Sequence, residues 1–237
     1  MSIDIQVLDD PDGATAELLV DAARSGGHVV LTGGSGPNAA YAQAAQQPQA
    51  WAGARLWFTD DRCVPPDDEL SNFGVIKGVL LDPIAAAGVE LGFARRVLGE
   101  LGPEPGAREY EQALAELGGL GSPAQIEFEL MLLGVGPDAH ICSMFPGQES
   151  LSERERLAVG VATAGMEPFV PRVTMTFPAI SRTRRVVVLA TGESKADAIA
   201  RGFADDARPN LDAPLSLIAE HADNITVLLD SDAASRL

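Results

Sequence analysis

Short runs of β-branched and aliphatic residues alternate along the chain with longer, alanine-rich stretches whose apolar positions recur at helical spacing. The runs predict strands over residues 3–8, 28–32, 55–59, 126–133, 157–162, 172–176, 185–190 and 224–229. The stretches between them predict helices over residues 15–25, 37–47, 69–81, 107–117, 194–203 and 215–221. Strand and helix in alternation are what crossover units produce, so the expected fold is α/β, a mostly parallel sheet with helices on both faces. The run at 126–133 is almost uniformly apolar, as a central strand covered on both faces requires. The most loop-like stretch, Gly99-Glu100-Leu101-Gly102-Pro103-Glu104-Pro105-Gly106, is too short to tether two units, and one domain over residues 1–237 is expected.

With 237 residues, 46% of them hydrophobic, the chain can bury a sizeable core. Its 17 basic and 34 acidic residues give a formal charge of -17. That charge opposes long-range attraction to nucleic acid or anionic lipid, so neither is an expected partner, and an anionic ligand has to be held by local groups. Cys63 and Cys142 are too few for a disulfide framework and are expected to be packed thiols in a reducing compartment. The start Met1-Ser2-Ile3-Asp4 lacks a basic region and an apolar core, and no stretch approaches the roughly 18 apolar residues of a membrane span. The expected location is the cytoplasm.

Loops that directly follow strands have first claim on function, because ligands of open α/β sheets sit outside the carboxyl ends of the strands. Three such loops carry chemistry. The first, Gly33-Gly34-Ser35-Gly36-Pro37-Asn38, leads into a predicted helix; its glycines let backbone N–H groups approach a phosphate, and an ordinary glycine turn is the alternative. Gly34 to Ala39 also fits the dinucleotide pattern G-x-G-x-x-A, with Asp60 where a ribose-binding acid belongs, but Gly134 to Ala139 fits it equally, so the pattern is unspecific. The second loop, Asp60-Asp61-Arg62-Cys63-Val64-Pro65, offers either a surface ion pair or a guanidinium fork for phosphate. The third, Gly134-Val135-Gly136-Pro137-Asp138-Ala139-His140, carries the one histidine of three that leaves this edge of the sheet, a general acid/base in one reading and a structural residue in the other. His28 at a strand start and His221 near a helix C-terminus, where imidazolium is favoured, have structural explanations. Of two lysines, Lys77 falls mid-helix on a solvated face, whereas Lys195 falls at a helix N-terminus, a poor place for a cation unless an anion binds there. Arg172 starts a strand, and residue type alone favours water as its neighbour slightly over the same anion.

The ordered set Gly33-Gly34-Ser35, Asp61-Arg62 with Val64-Pro65 and Ser71-Asn72, Leu133-Gly134-Val135-Gly136 with Asp138 and His140, Ser143-Met144-Phe145-Pro146-Gly147, Arg172-Val173-Thr174-Met175-Thr176, and Gly192 with Lys195 resembles the 6-phosphogluconolactonase family. That family shares its fold with glucosamine-6-phosphate deaminase. The deaminase type continues after the histidine with an asparagine-glutamate-proline segment, whereas this chain has Cys142-Ser143-Met144-Phe145-Pro146-Gly147, similar to the lactonase segment. The resemblance implies hydrolysis of 6-phospho-D-glucono-1,5-lactone to 6-phospho-D-gluconate in the oxidative pentose phosphate pathway, without cofactor or metal. It implies His140 as general base and then acid, Asp138 as its orienting partner, and Gly33, Gly34, Ser35, Asp61, Arg62, Arg172 and Lys195 around the substrate and its phosphate. The implied partner is the small phosphorylated sugar lactone, and the chain is expected to be a monomer or weak homodimer. Alternatives are a sugar-phosphate isomerase or deaminase and a non-catalytic sugar-phosphate binder. The chain departs from the family pattern in Asp61 for a usual glutamate, in Pro137, and in Ala139 for a usual glycine, where a positive φ is expected to matter.

Overall fold

The structure, a computed structural model, describes residues 2–117 and 126–237; Met1, the first residue of the N-terminal segment discussed above, lies outside them. Among the described residues, seven strands form one parallel sheet in the order β1 (Ser2–Val7), β10 (Asn224–Leu229), β9 (Val186–Ala190), β6 (Leu130–Leu133), β2 (His28–Leu31), β3 (Arg55–Phe58) and β5 (Phe93–Ala94). Three further strands, β4 (Asp60–Arg62), β8 (Arg172–Met175) and β7 (Ala158–Val161), form a small antiparallel sheet. The expected α/β class and parallel sheet are therefore present. The predicted strands at 157–162 and 172–176 belong instead to the second sheet, because the chain leaves β3 at Thr59 and continues as β4, which gives β8 an antiparallel partner.

Both faces of the large sheet's central strands are buried, which is why they read as unbroken apolar runs, whereas the edge strand β1 is largely exposed. Val29, Leu31, Leu56, Phe58, Leu130, Leu132 and Val187 pack with α1 (Pro11–Arg24), α2 (Asn38–Ala44) and the helical run α3 (Asn72–Ile76) to α4 (Asp82–Ala86). Val30, Trp57, Met131, Leu133, Val186 and Val188 pack on the opposite face with α5 (Pro103–Leu117), α6 (Phe177–Ile180), α7 (Ala196–Phe203) and the small sheet. The period of two thus sends alternate residues to two separate cores.

Local chemistry explains where elements begin. Asp10 caps α1 by accepting from the Gly13 N–H at 2.8 Å, and Pro11 occupies the first turn, where its missing N–H is no loss. α5 starts at Pro103 rather than at residue 107, since prolines are tolerated in a first turn; the stretch expected to be loop is partly helix. The predicted helix at 69–81 is α3, then a π-helical turn over Lys77–Leu81, then α4, with Ser71 capping the start by accepting from the Gly74 N–H at 3.1 Å. From β2 the chain proceeds to β3 and β5 on one side, and from β6 to β9 and β10 on the other. The order reverses between β2 and β6, and the crevice at such a point is where open α/β sheets bind ligands.

Candidate active site

The glycine loop after β2 and the histidine loop after β6 flank this switch point and line a cavity of about 580 Å³. The Tyr41 hydroxyl anchors the base of the first loop, donating to the Thr32 carbonyl at 2.7 Å and accepting from the Thr32 N–H at 2.9 Å. Gly33, Gly34 and Ser35 reach the cavity. Gly33 is glycine because a Cβ there would overlap the Asn72 side chain, and Gly34 sits at φ +86°, in the left-handed region. Beyond them α2 is only seven residues long.

The histidine loop is fixed by its own hydrogen bonds. The Gly136 N–H donates to the His140 carbonyl and the Ala139 N–H to the Gly136 carbonyl, both at 2.9 Å, while the Ala139 carbonyl accepts from the Leu215 N–H at 2.9 Å. Arg201 Nη1 donates to the Asp138 carbonyl at 3.1 Å, tying the loop to α7. Within this frame the His140 ring places Nδ1 2.6 Å from Asp138 Oδ1, lines the cavity and packs on Phe145 at 4.6 Å between ring centroids. A carboxylate only accepts, so Nδ1 carries the hydrogen and Nε2 of the neutral ring is the free base. Burial raises the Asp138 carboxyl, but the hydrogen bond and charge of His140 outweigh it and leave Asp138 below the ordinary carboxylate value. Gly136 is glycine because a Cβ would collide with both His140 and Asp138. Ala139 adopts φ +68°, so it keeps the conformation for which glycine is the easier residue.

Opposite this loop stand the cations. Arg62 and Arg172 face each other as register partners across β4 and β8, a like-charge pairing that is unfavourable without a counter-ion. Arg62 donates to the Leu70 carbonyl at 2.6 Å and Arg172 Nη2 to the Pro168 carbonyl at 2.7 Å. Arg172 is 2% exposed, and its Nε and Nη1 have no partner among the described residues. Sequence alone favoured water for Arg172; burial by the β7–β8 hairpin places it on the cavity wall instead. Burial and the Arg62 charge push its pKa down to about 10, against the pull of Asp60 and Asp61. Lys195 lines the same cavity at the N-cap of α7, and burial lowers its pKa although Asp138 opposes the shift. The turn before it is held by Asp230, whose carboxylate accepts from the Gly192 N–H at 2.9 Å.

One expected ligand residue lies elsewhere. Asp61 does not line the cavity; its carboxylate accepts from the N–H groups of Arg62, Asn72 and Phe73 and from Ser71 Oγ, at 2.7 to 3.2 Å. It anchors the start of α3 and thereby Asn72, and burial raises its pKa. His221 departs from expectation in another way: it stacks on Phe177 at 4.5 Å, and burial followed by the Arg154 charge lowers its pKa, favouring the neutral ring. His28 accepts from Trp57 Nε1 at 2.8 Å, the expected structural role. Burial pushes the Cys63 thiol up to about 11 and raises Cys142 as well, so neither is a thiolate near neutrality. Asp60, Asn72 and Ser143 also reach the cavity.

Fold and cavity together define a class: an α/β protein with a cation-lined crevice at its topological switch point and a carboxylate-oriented imidazole beside it. Comparison with known proteins narrows the class. The model of the family Glucosamine-6-phosphate isomerases/6-phosphogluconolactonase matches residues 13–227, and the chain belongs to that family. It is 35% identical to a 6-phosphogluconolactonase of Mycobacterium tuberculosis, over 100% of this chain and 99% of the relative. It is also 35% identical to the human 6-phosphogluconolactonase, over 80% of this chain and 70% of the relative. Among solved structures, 6-phosphogluconolactonase from Trypanosoma cruzi superposes with a TM-score of 0.82 at 25% identity, covering 100% of this chain and 97% of that one.

Proposed function

We propose that the protein hydrolyses 6-phospho-D-glucono-1,5-lactone to 6-phospho-D-gluconate, with His140 acting on water. The observation that carries this reading is a histidine oriented by a carboxylate at 2.6 Å on the wall of a cavity that also presents three cations. The strained ester needs one base, a grip on the phosphate and help for the developing oxyanion. His140 Nε2 takes a proton from water as its oxygen adds to C1. The imidazolium, stabilised by Asp138, then returns that proton to the ring oxygen as the C1–O bond breaks. Asp138 is a positioning residue throughout, since it holds the tautomer without touching the lactone.

Backbone N–H groups of the glycine loop with Arg62, Arg172 and Lys195 hold the anionic end of the substrate, at about 1.5–3 kcal/mol per charge-assisted contact. The like-charge pair that Arg172 forms with Arg62 on the cavity wall supports this assignment, since a dianion relieves it. Ser35 and Ser143 are poor nucleophiles: Ser35 lies on an exposed loop, and the Ser143 hydroxyl donates to Asp60 at 2.7 Å. An isomerase or deaminase mechanism calls for a carboxylate in the segment after His140, and residues 141–147 hold none. Adding the protein to freshly made 6-phosphogluconolactone should accelerate ring opening far above the spontaneous rate. An unchanged rate, with the lactone still bound, would favour a binding protein instead.

A further inference from the structure

The two edges of the large sheet are finished differently. β5 ends one side after two half-buried residues, too short to template another strand. β1 ends the other side with Ser2-Ile3-Asp4-Ile5-Gln6-Val7, which holds no proline, glycine or lysine to blunt the edge and a single charge, Asp4. Its inner side is satisfied: the Ser2 and Leu8 N–H groups donate to the Asp223 and Leu229 carbonyls at 2.7 and 2.8 Å. Backbone direction alternates along a strand, so the N–H and C=O groups of Ile3, Ile5 and Val7 point away from β10, where no strand meets them among the described residues. Their side chains continue the fully buried row of their register partners Ile225, Val227 and Leu229, yet are 40%, 38% and 54% exposed. An apolar row of the core thus runs out into water at β1.

This edge is complementary to its own reverse. Among antiparallel pairings of β1 with a second copy, the one centred on Ile5 uses all three outward residues: Ile5 meets its own counterpart and Ile3 meets Val7 in both directions. Each pair then exchanges two backbone hydrogen bonds, and its side chains meet on the face that carries the apolar row. The same register sets Asp4 opposite Gln6, a carboxylate facing an amide donor, the contact these side chains already make within one chain at 2.6 Å. A pairing centred on Asp4 instead sets two like charges against each other. We propose that β1 is a self-association edge, through which two copies of this chain pair antiparallel about a dyad at Ile5 and join their large sheets into one. The interface is small beside the roughly 1,200 Å² of a stable complex, and each copy carries -17, so the association is weak and strengthened by salt. The cavity lies beyond β10 and β9, between β6 and β2, so the pairing is independent of the proposed reaction.

Sedimentation velocity of the wild type between about 5 and 500 µM should show the average mass rising from one chain toward two, more so at about 0.5 M salt than at about 0.05 M. Ile5→Lys puts two ammonium groups on the dyad and should stay monomeric over that range, with a melting temperature within about 3 °C of wild type. Cysteine variants read the register. Ile5→Cys should form a disulfide-linked dimer under oxidised glutathione, since the Cα atoms of such a pair lie about 5.5 Å apart, within disulfide reach. Ile3→Cys, whose counterpart lies on the order of 14 Å away along the strands, should not. The wild type, with Cys63 and Cys142 alone, is the control. A wild type that stays monomeric throughout overturns the proposal, whether the edge stays bare or takes up an extended peptide of another protein. So does a dimer that Ile5→Lys leaves as tight as before, or one that Ile3→Cys links as readily as Ile5→Cys. Should Ile5→Lys not fold, the two cysteine variants decide.

Discussion

The 2.6 Å contact between Asp138 and His140 decides which ring nitrogen is basic, and a variant can reverse that decision. In Asp138→Asn the amide can present its NH₂ to Nδ1 and shift the proton to Nε2. The expected loss in kcat is about 10²- to 10⁴-fold, with KM and melting temperature little changed, as steady-state kinetics and thermal unfolding would show. Next to it, Ala139 at φ +68° invites replacement by glycine. Relief of left-handed strain gains about 1–2 kcal/mol, but the fully buried methyl is worth about 0.8 and glycine adds about 0.5–1 of chain entropy. The terms nearly cancel, so Ala139→Gly should change unfolding free energy by less than about 1 kcal/mol in urea titrations, which is why alanine is tolerated there. His140 and Asp138 were legible in the sequence because loop position and residue type mark them. The reason for Gly33 and Gly136 was not, since it lies in the side chains of Asn72 and His140 that occupy their missing Cβ positions.

At the scale of elements, β4 and β8 bring together Arg62 and Arg172, which are 110 positions apart in the chain. The eight predicted strands are all represented in the structure, but periodicity says only that a run is extended, not which sheet it joins. Three-residue β4 and two-residue β5 are too short for any pattern to reveal. If the paired arginines hold the anion as proposed, their mutual repulsion falls on the free protein. Arg172→Met should therefore leave the melting temperature of the unliganded protein unchanged or higher, and raise KM at least about tenfold. A fall in stability with unaltered KM would mean that Arg172 is structural. At the start of α7, burial lowers the Lys195 pKa below the ordinary lysine value of 10.5. Between the folded and unfolded values the folded chain binds fewer protons, so this group makes the free protein more stable as pH rises through that window. Ligand binding runs the other way: KM should climb on the alkaline side as the ammonium is lost, with kcat changing less, in pH profiles run below the usual lysine range.

For the molecule as a whole, a net charge of -17 and the proposed grip on an anionic substrate are compatible because Arg62, Arg172 and Lys195 are brought together where the strand order reverses. That concentration was partly legible: residue order along the chain named the loops, and the rule that strand carboxyl ends bind ligands brought them to one edge. The hairpin carrying Arg172, and the inward turn of Asp61 onto α3, depend on tertiary packing that no local pattern contains. Among the described residues no helix is long and apolar enough to cross a membrane. The proposed reaction rests on one imidazole working at a sugar ring that other groups hold. Its most direct measurement is His140→Ala, assayed for lactone opening and, separately, for calorimetric binding of 6-phosphogluconate. Opening should fall to the spontaneous rate while affinity stays within about threefold of wild type. Turnover that survives the substitution would contradict it.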